Sequence, residues 1–95
     1  MRQVTEIYRT SMSVGNYVYD TKQKKLYMIA SYGYANRRDY RTQILLIDMQ
    51  TKCIINHAIA NNGDELTLTD VKDLFRHRNL ENLQLLTTDE AKEYL

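Results

Sequence analysis

Two short polar links divide the first sixty residues of the chain, and they constrain its fold more than any other feature. The links are "DTKQK" at 20–24 and "MQT" at 49–51. The segments around them are rich in Tyr, Val, Ile and Thr, which suit a pleated, half-buried surface. Because each link is short and polar, the sequence predicts that each one closes an antiparallel β-hairpin. The predicted strands are 14–20, 25–32, 41–48 and 52–59, with a further candidate at 3–9.

The two middle strands carry apolar side chains on both faces. In 25–32, Leu26 and Met28 alternate with Tyr27 and Ile29, and 41–48 contains four consecutive aliphatic residues. Such strands are typical of a sheet that is covered on both sides, in a small closed barrel or beneath helices. The stretch "VGNYVYDTKQKKLYMI" at 14–29 resembles small SH3-like barrels, in which an apolar-Gly opening strand precedes a tight hairpin. This resemblance implies a barrel and nothing about activity.

The last third of the chain changes to a helical pattern. Thr69 is the predicted N-cap of a helix whose apolar stripe, Val71, Leu74 and Phe75, docks on the sheet. A short apolar strand or extended piece follows, and then Thr87 and Glu90 stand at capping-box spacing before a last short helix. The sequence thus predicts one α+β domain over 1–95, β-rich over 1–60 and helical or mixed over 61–95. Its core is a four- to five-stranded antiparallel sheet, open or closed as an SH3-like small barrel, with one or two C-terminal helices.

Motifs for catalysis, cofactors and metals are missing from the sequence. It has three Gly and no phosphate-binding loop, and its one cysteine, Cys53, is expected to be a small buried residue. His57 is expected near the core, and neither it nor His77 has a neighbour that suggests catalysis. The protein is therefore expected not to be an enzyme and to need no cofactor or metal. No apolar run approaches the length of a membrane span, and the N-terminus lacks a signal-peptide core, so we expect a cytoplasmic protein without membrane contact.

Charge is distributed unevenly along the chain although its net value is only +1. Residues 1–56 carry nine basic and four acidic side chains, whereas residues 57–95 carry four basic and eight acidic ones. The two halves can form two electrostatic faces, one for a polyanion and one for a basic partner. They can equally face each other across the fold or spread as solubilising groups, and the sequence leaves this open.

Tyrosines and basic residues concentrate between residues 17 and 41, where a loop at 33–40 is expected at a hairpin tip. The predicted binding residues are Tyr17, Tyr19, Lys22, Lys24, Lys25, Tyr32, Tyr34, Arg37, Arg38, Tyr40 and Arg41. Tyr and Arg are enriched at the centres of protein interfaces, which favours a protein-interaction module. Lysines and arginines with exposed tyrosines also suit single-stranded nucleic acid, which is the alternative. The pI of about 7.8 is below the value of about 9 typical of dedicated nucleic-acid binders, so the protein partner ranks first.

Small cytoplasmic domains without motifs are typical of accessory genes of phages and other mobile elements. These include inhibitors of bacterial defence nucleases such as anti-CRISPR proteins. We therefore expect a small regulator or inhibitor that acts on a larger partner, for which a nucleic-acid-processing enzyme is a candidate. Exposed edge strands could also pair two copies into a homo-oligomer.

Overall fold

Eight strands and two short helices make up the described part of the chain, which in the computed structural model is residues 2–12, 16–36, 41–61, 63, 65–76 and 78–95. The strands are β1 (Arg2–Gln3), β2 (Arg9–Ser11), β3 (Tyr17–Asp20), β4 (Lys25–Asn36), β5 (Arg41–Asp48), β6 (Cys53–Ala60), β7 (Glu65–Thr67) and β8 (Leu83–Leu86). The helices are α1 (Leu68–Leu74) and α2 (Thr88–Ala91), and 3₁₀ turns lie at Val4–Glu6, Leu80–Asn82 and Lys92–Tyr94.

The strand pairs are all antiparallel, which confirms the expected sheet type. Six strands form one sheet in the order β1-β8-β3-β4-β5-β6, and β2 pairs with β7 in a separate ribbon. The predicted hairpins β3-β4 and β5-β6 are both present. The sheet is open, with β1 and β6 at its edges, so the SH3-like barrel is wrong. The predicted number of strands was also too low, because the short strands β1, β2 and β7 have too few residues to show alternation.

The core lies on one face of the six-stranded sheet, which we call the packed face. Side chains at Val18, Tyr27, Ile29, Ile44 and Leu46 point to this side and are almost fully buried. The predicted stripe of α1 covers them: Val71, Leu74 and Phe75 are 0%, 2% and 2% exposed. Full burial of such side chains contributes about 1.5–3 kcal/mol each. The helix therefore docks as its apolar spacing predicts.

Helix α1 begins two residues earlier than expected. The N-cap is Thr67 and not Thr69: its side chain accepts a hydrogen bond from the backbone N–H of Asp70, and the Asp70 carboxylate accepts one from the backbone N–H of Thr67. This reciprocal capping box satisfies two backbone donors at once, which a cap at Thr69 could not do. The second predicted capping box, of Thr87 and Glu90, is present at the start of α2.

Strand β8 occupies the most informative position in the sheet. It comes from the end of the chain, yet it lies between β1 and β3, where Leu85 pairs with Arg2 on one side and Val18 on the other. The expected apolar strand is thus confirmed, and it is internal. No helix in the described part of the chain is long and apolar enough to cross a membrane.

Candidate functional site

The structure describes the side chains of some of the eleven predicted binding residues but not of the others. Six have described side chains: Tyr17 and Tyr19 in β3, Lys22 and Lys24 in the following turn, Lys25 at the start of β4, and Arg41 at the start of β5. The backbone of Tyr32 and Tyr34 lies in β4, but their side chains are outside the described part, and Arg37, Arg38 and Tyr40 lie outside the described residues altogether. Residues 33–36, predicted as part of a loop, belong to β4 instead, and the binding role of 33–40 stays a prediction.

The six described residues do not form one cluster. Lys25 begins β4, whereas Asn36 ends it and pairs with Arg41. A strand of 12 residues is about 35 Å long when extended, at a rise of about 3.3 Å per residue. Arg41 therefore lies at the opposite end of the sheet from the lysine-rich turn.

A cavity lies beside the lysine-rich turn, and we call it the lysine pocket. Its volume is about 460 Å³, within the range of about 300–1,000 Å³ that small-molecule sites occupy. Its lining residues are Tyr19, Lys24, Lys25, Leu26, Met49, Gln50, Lys52, Tyr94 and Leu95. Three of these were predicted from the sequence. Of the others, Leu26 comes from β4, and the rest come from the β5-β6 turn and the C-terminal segment, which only the folded sheet brings next to the β3-β4 turn.

The two turns beside the lysine pocket have the same construction. The Oδ1 atom of Asp20 accepts hydrogen bonds of 2.9 and 3.0 Å from the backbone N–H groups two and three residues later. The Oδ1 atom of Asp48 does the same at 2.8 and 3.4 Å. A hydrogen bond of 3.0 Å from the backbone N–H of Met49 to the carbonyl oxygen of Leu26 joins the two turns. The repeated spacing Asp-x-x-x-Lys, at 20–24 and 48–52, is a sequence signal that could have paired them.

Each turn ends in a lysine with left-handed backbone geometry. Lys24 has φ 56° and Lys52 has φ 62°, and these are the two non-glycine residues with positive φ in the described chain. Glycine is the usual residue at such positions, because a Cβ atom there clashes with the backbone. Lys24 and Lys52 thus occupy equivalent positions in the two turns and lie beside one cavity.

The ammonium group of Lys25, the third lysine of the pocket, is paired with a carboxylate. Lys25 Nζ lies 3.4 Å from Oδ2 of Asp48, whose side chain is only 7% exposed. The backbone N–H of Gln50 hydrogen-bonds to the same carboxylate and, with Lys25, holds the pKa of Asp48 below its ordinary value of 3.8. Lys24 and Lys52 are exposed, and neither forms an ion pair with another described residue. These two supply the available positive charge of the pocket.

Two stacked tyrosines form one wall of the pocket. The rings of Tyr19 and Tyr94 are 4.3 Å apart with an angle of 30° between their planes, and Tyr94 is 39% exposed. Tyr17 and Tyr19 share a face, as predicted, and pack with Leu86 and Ala91 in a small second core beneath α2. Tyr17 and Tyr19 are therefore partly structural, and Tyr94 is the most exposed of the three rings.

The sheet face opposite α1 is largely apolar and only partly covered. The second core under α2 covers its β8 and β3 side and reaches Leu26 of β4 and Met49 after β5. Beyond this second core, side chains from β4, β5 and β6 form a surface that we call the open face. Its residues are Met28, Ala30, Gln43, Leu45, Ile47, Ile54, His57 and Ile59. Met28, Ala30, Leu45 and Ile47 on this face are partly buried. Ile54 is 59% exposed and Ile59 is 42% exposed, an arrangement that marks contact surfaces more often than ordinary sheet faces.

Two predictions for β6 are wrong, because this strand forms an edge of the sheet. His57 shares its face with Ile59 as the pattern predicts, but that face is the open one, so His57 is exposed. Cys53 is exposed as well. Asn56 partly protects the edge: its Oδ1 accepts from the backbone N–H of His57 at 2.8 Å, and its Nδ2 donates to the carbonyl oxygen of Leu74 at 2.8 Å. Pairing of two copies through edge strands stays a prediction.

On the packed face, Arg78 links the end of the α1 region to the β3-β4 turn. Its NH1 atom lies 3.2 Å from Oδ2 of buried Asp20, and its guanidinium lies over the Tyr27 ring at 4.9 Å. The Tyr27 hydroxyl is buried without a hydrogen-bond partner. Burial raises the pKa of Tyr27, although the nearby Arg78 and Lys25 oppose the rise. This cluster fixes the turn that carries Lys24.

Neither a search for metal sites in the described residues nor comparison with known proteins points to another site. Among residues 2–12, 16–36, 41–61, 63, 65–76 and 78–95, no group of three or more His, Cys, Asp or Glu side chains is arranged to hold a metal ion. No protein-family model matches the chain, and neither curated proteins nor solved structures give a match. The open face and the lysine pocket are thus the two candidate contact surfaces of the described chain.

Proposed function

We propose that this protein is a non-catalytic interaction module that binds another protein through the open face. The exposure of Ile54 and Ile59 on a sheet face that is only partly covered is the observation that carries the proposal. A sheet normally buries its apolar faces against other layers, because water contact with such surface is unfavourable. A partner protein would supply the layer that is missing on this side.

The dimensions of the open face suit a helix. It extends over β4, β5 and β6, and neighbouring strands are about 4.8 Å apart, so the outer two are about 10 Å apart. An α-helix with its side chains is about 10–12 Å in diameter. One amphipathic helix therefore covers the open face as α1 covers the packed face.

The charges favour a helix with acidic flanks. No position on the open face carries Asp or Glu, whereas the exposed Lys24 and Lys52 lie at the end of the same sheet surface. Complementary charges raise association rates and disfavour wrong partners. We infer a partner segment with apolar residues on one side and carboxylates beside them. A small regulator or inhibitor bound to a larger nucleic-acid-processing protein is the form of this function that the chain length and the lack of catalytic motifs favour.

The test is a selection of helical peptides from a display library on the immobilised protein. We expect enrichment of amphipathic peptides with net negative charge, whose binding Ile59→Glu weakens at least tenfold. Ile55→Glu is the matched control, because Ile55 is 44% exposed on the same strand but lines a cavity beside α1 on the other side. The proposal is wrong if no peptide is enriched, or if the enriched peptides bind both variants equally.

A further inference from the structure

We propose that the lysine pocket is a nucleotide-binding site, in which Lys24 and Lys52 hold a phosphate group and the base stacks on Tyr94. The inference shares Lys24 and Lys52 with the proposed protein contact, but Tyr94, Leu26 and Met49 line the pocket and are not among the residues of the open face. The ligand chemistry is that of a phosphorylated nucleoside, either free or at the end of a single strand.

The first argument is the location of the two cations. Lys24 and Lys52 come from two separate hairpins, yet the Met49–Leu26 backbone hydrogen bond of 3.0 Å brings these hairpins together beside one cavity. Their side chains lack ion-pair partners among the described residues. Two exposed ammonium groups beside one cavity attract an anion such as phosphate. The pocket thus has charge suited to an anion.

The second argument is the backbone at these lysines. A left-handed conformation is unfavourable for any residue with a Cβ atom, and in turns of this type glycine or asparagine avoids the penalty. The chain has lysine at both positions, with φ 56° and 62°. Unfavourable conformations that persist in a fold often occur where a side chain is needed for binding. The coincidence of two such lysines at one cavity is the observation that singles out this site.

The third argument is the rest of the lining, which suits a flat ring. Tyr94 offers an exposed aromatic surface braced by Tyr19, and Leu26 and Met49 add apolar walls. Stacking of a base on an aromatic side chain is worth about 1–3 kcal/mol and tolerates any base. Phosphotyrosine shares this chemistry, but sites for phosphorylated peptides are typically built from arginine clusters. The pocket lining contains lysine and no arginine, which favours the nucleotide.

The test is a calorimetric and NMR titration of the full chain with AMP, adenosine, inorganic phosphate and phosphotyrosine. We expect AMP to bind at least tenfold more tightly than the other three and to shift the amide signals of residues 24–26, 49–52 and 94. Lys24→Gln with Lys52→Gln should weaken AMP binding at least tenfold, and Tyr94→Ala should weaken it severalfold. Lys22→Gln is the matched control, because Lys22 is exposed in the same turn without lining the pocket.

Two further arms make the outcome decisive. A short oligonucleotide with a 5′-phosphate that binds more tightly than AMP identifies a strand end as the source, and the reverse order identifies a free nucleotide. Lys24→Gly removes the charge and also the unfavourable Cβ, so retained folding with lost AMP binding separates binding from stability. The proposal is overturned if AMP does not bind, if phosphotyrosine binds more tightly, or if Lys22→Gln has the same effect as Lys24→Gln.

Discussion

Replacement of the two left-handed lysines by glycine should make the protein more stable. At Lys24 and Lys52, the Cβ atom in a left-handed backbone costs about 1–2 kcal/mol, and glycine removes this cost. Glycine also gives the unfolded chain more freedom, which opposes the gain by about 0.4–1 kcal/mol. The net stabilisation is therefore about 0.5–1 kcal/mol for each substitution. It should nearly double in the Lys24→Gly, Lys52→Gly variant if the two turns act independently.

Thermal and urea unfolding, followed by circular dichroism, measure this effect. For a chain of 95 residues, 1 kcal/mol corresponds to a change in Tm of about 4–8 °C, which is easily resolved. The urea m-value should stay constant, because neither substitution alters the surface buried on folding. The control is Lys22→Gly in the same turn, where φ is not positive.

Lys22→Gly should lower stability by about 0.4–1 kcal/mol, because there glycine adds only unfolded-state freedom. The opposite signs of the two effects within a single turn are the decisive result. If Lys24→Gly lowers the Tm as much as Lys22→Gly does, the backbone at Lys24 is not unfavourable. The reasoning that connects this lysine to ligand binding would then fail.

Three further predictions concern the packed face and α2. Tyr27→Phe should raise the free energy of unfolding by about 1 kcal/mol, because it removes a buried hydroxyl without a hydrogen-bond partner. Wild type should lose stability above pH 10, because the raised pKa of Tyr27 in the fold lets this hydroxyl ionise first in the unfolded chain. Tyr27→Phe should reduce that loss. Urea unfolding at pH 7 and 10.5 checks both, and a less stable variant would contradict the assignment. Asp48→Asn should destabilise the protein at pH 7. The difference in the free energy of unfolding from wild type should shrink as the pH falls below 4, because the pKa of Asp48 is lowered in the fold and protonation removes the stability that its carboxylate contributes. A difference that does not change between pH 7 and 3 would rule this out. Thr87→Ala should cost about 1 kcal/mol by removing the α2 cap and should loosen Tyr94, seen as faster amide exchange at residues 88–94; unchanged exchange would show that α2 does not depend on its cap.

Local patterns were enough to predict the hairpins and the helix face. The turns at 20–24 and 49–51, the Val71, Leu74 and Phe75 stripe and the Thr87 capping box all depend on residues within a few positions of one another. Side-chain alternation also placed Tyr17 and Tyr19 on one face. Features of this kind depend on the spacing of neighbouring residues, which can be read directly from a single sequence.

The remaining features depend on contacts between distant segments. Side-chain alternation places His57 and Ile59 on one face of β6. It does not show that β6 is an edge strand, and for this reason His57 and Cys53 were expected to be buried although both are exposed. The position of β8 inside the sheet is equally invisible to local patterns. The lysine pocket was found only in part, because Lys52 and Tyr94 join Lys24 through tertiary structure.

The position of β8 has a consequence for how this protein folds. Leu85 of β8 pairs with Arg2 of β1 and with Val18 of β3. Two strands near the start of the chain therefore cannot complete their pairing until β8, near residue 85, is present. Closing loops of this length is slow, because chain entropy is lost before the contacts form. During synthesis, β3 can join β4 early while its other edge has no partner. That edge is hidden in the finished sheet, but until β8 arrives it is an unpaired strand edge of the kind through which incompletely folded chains associate.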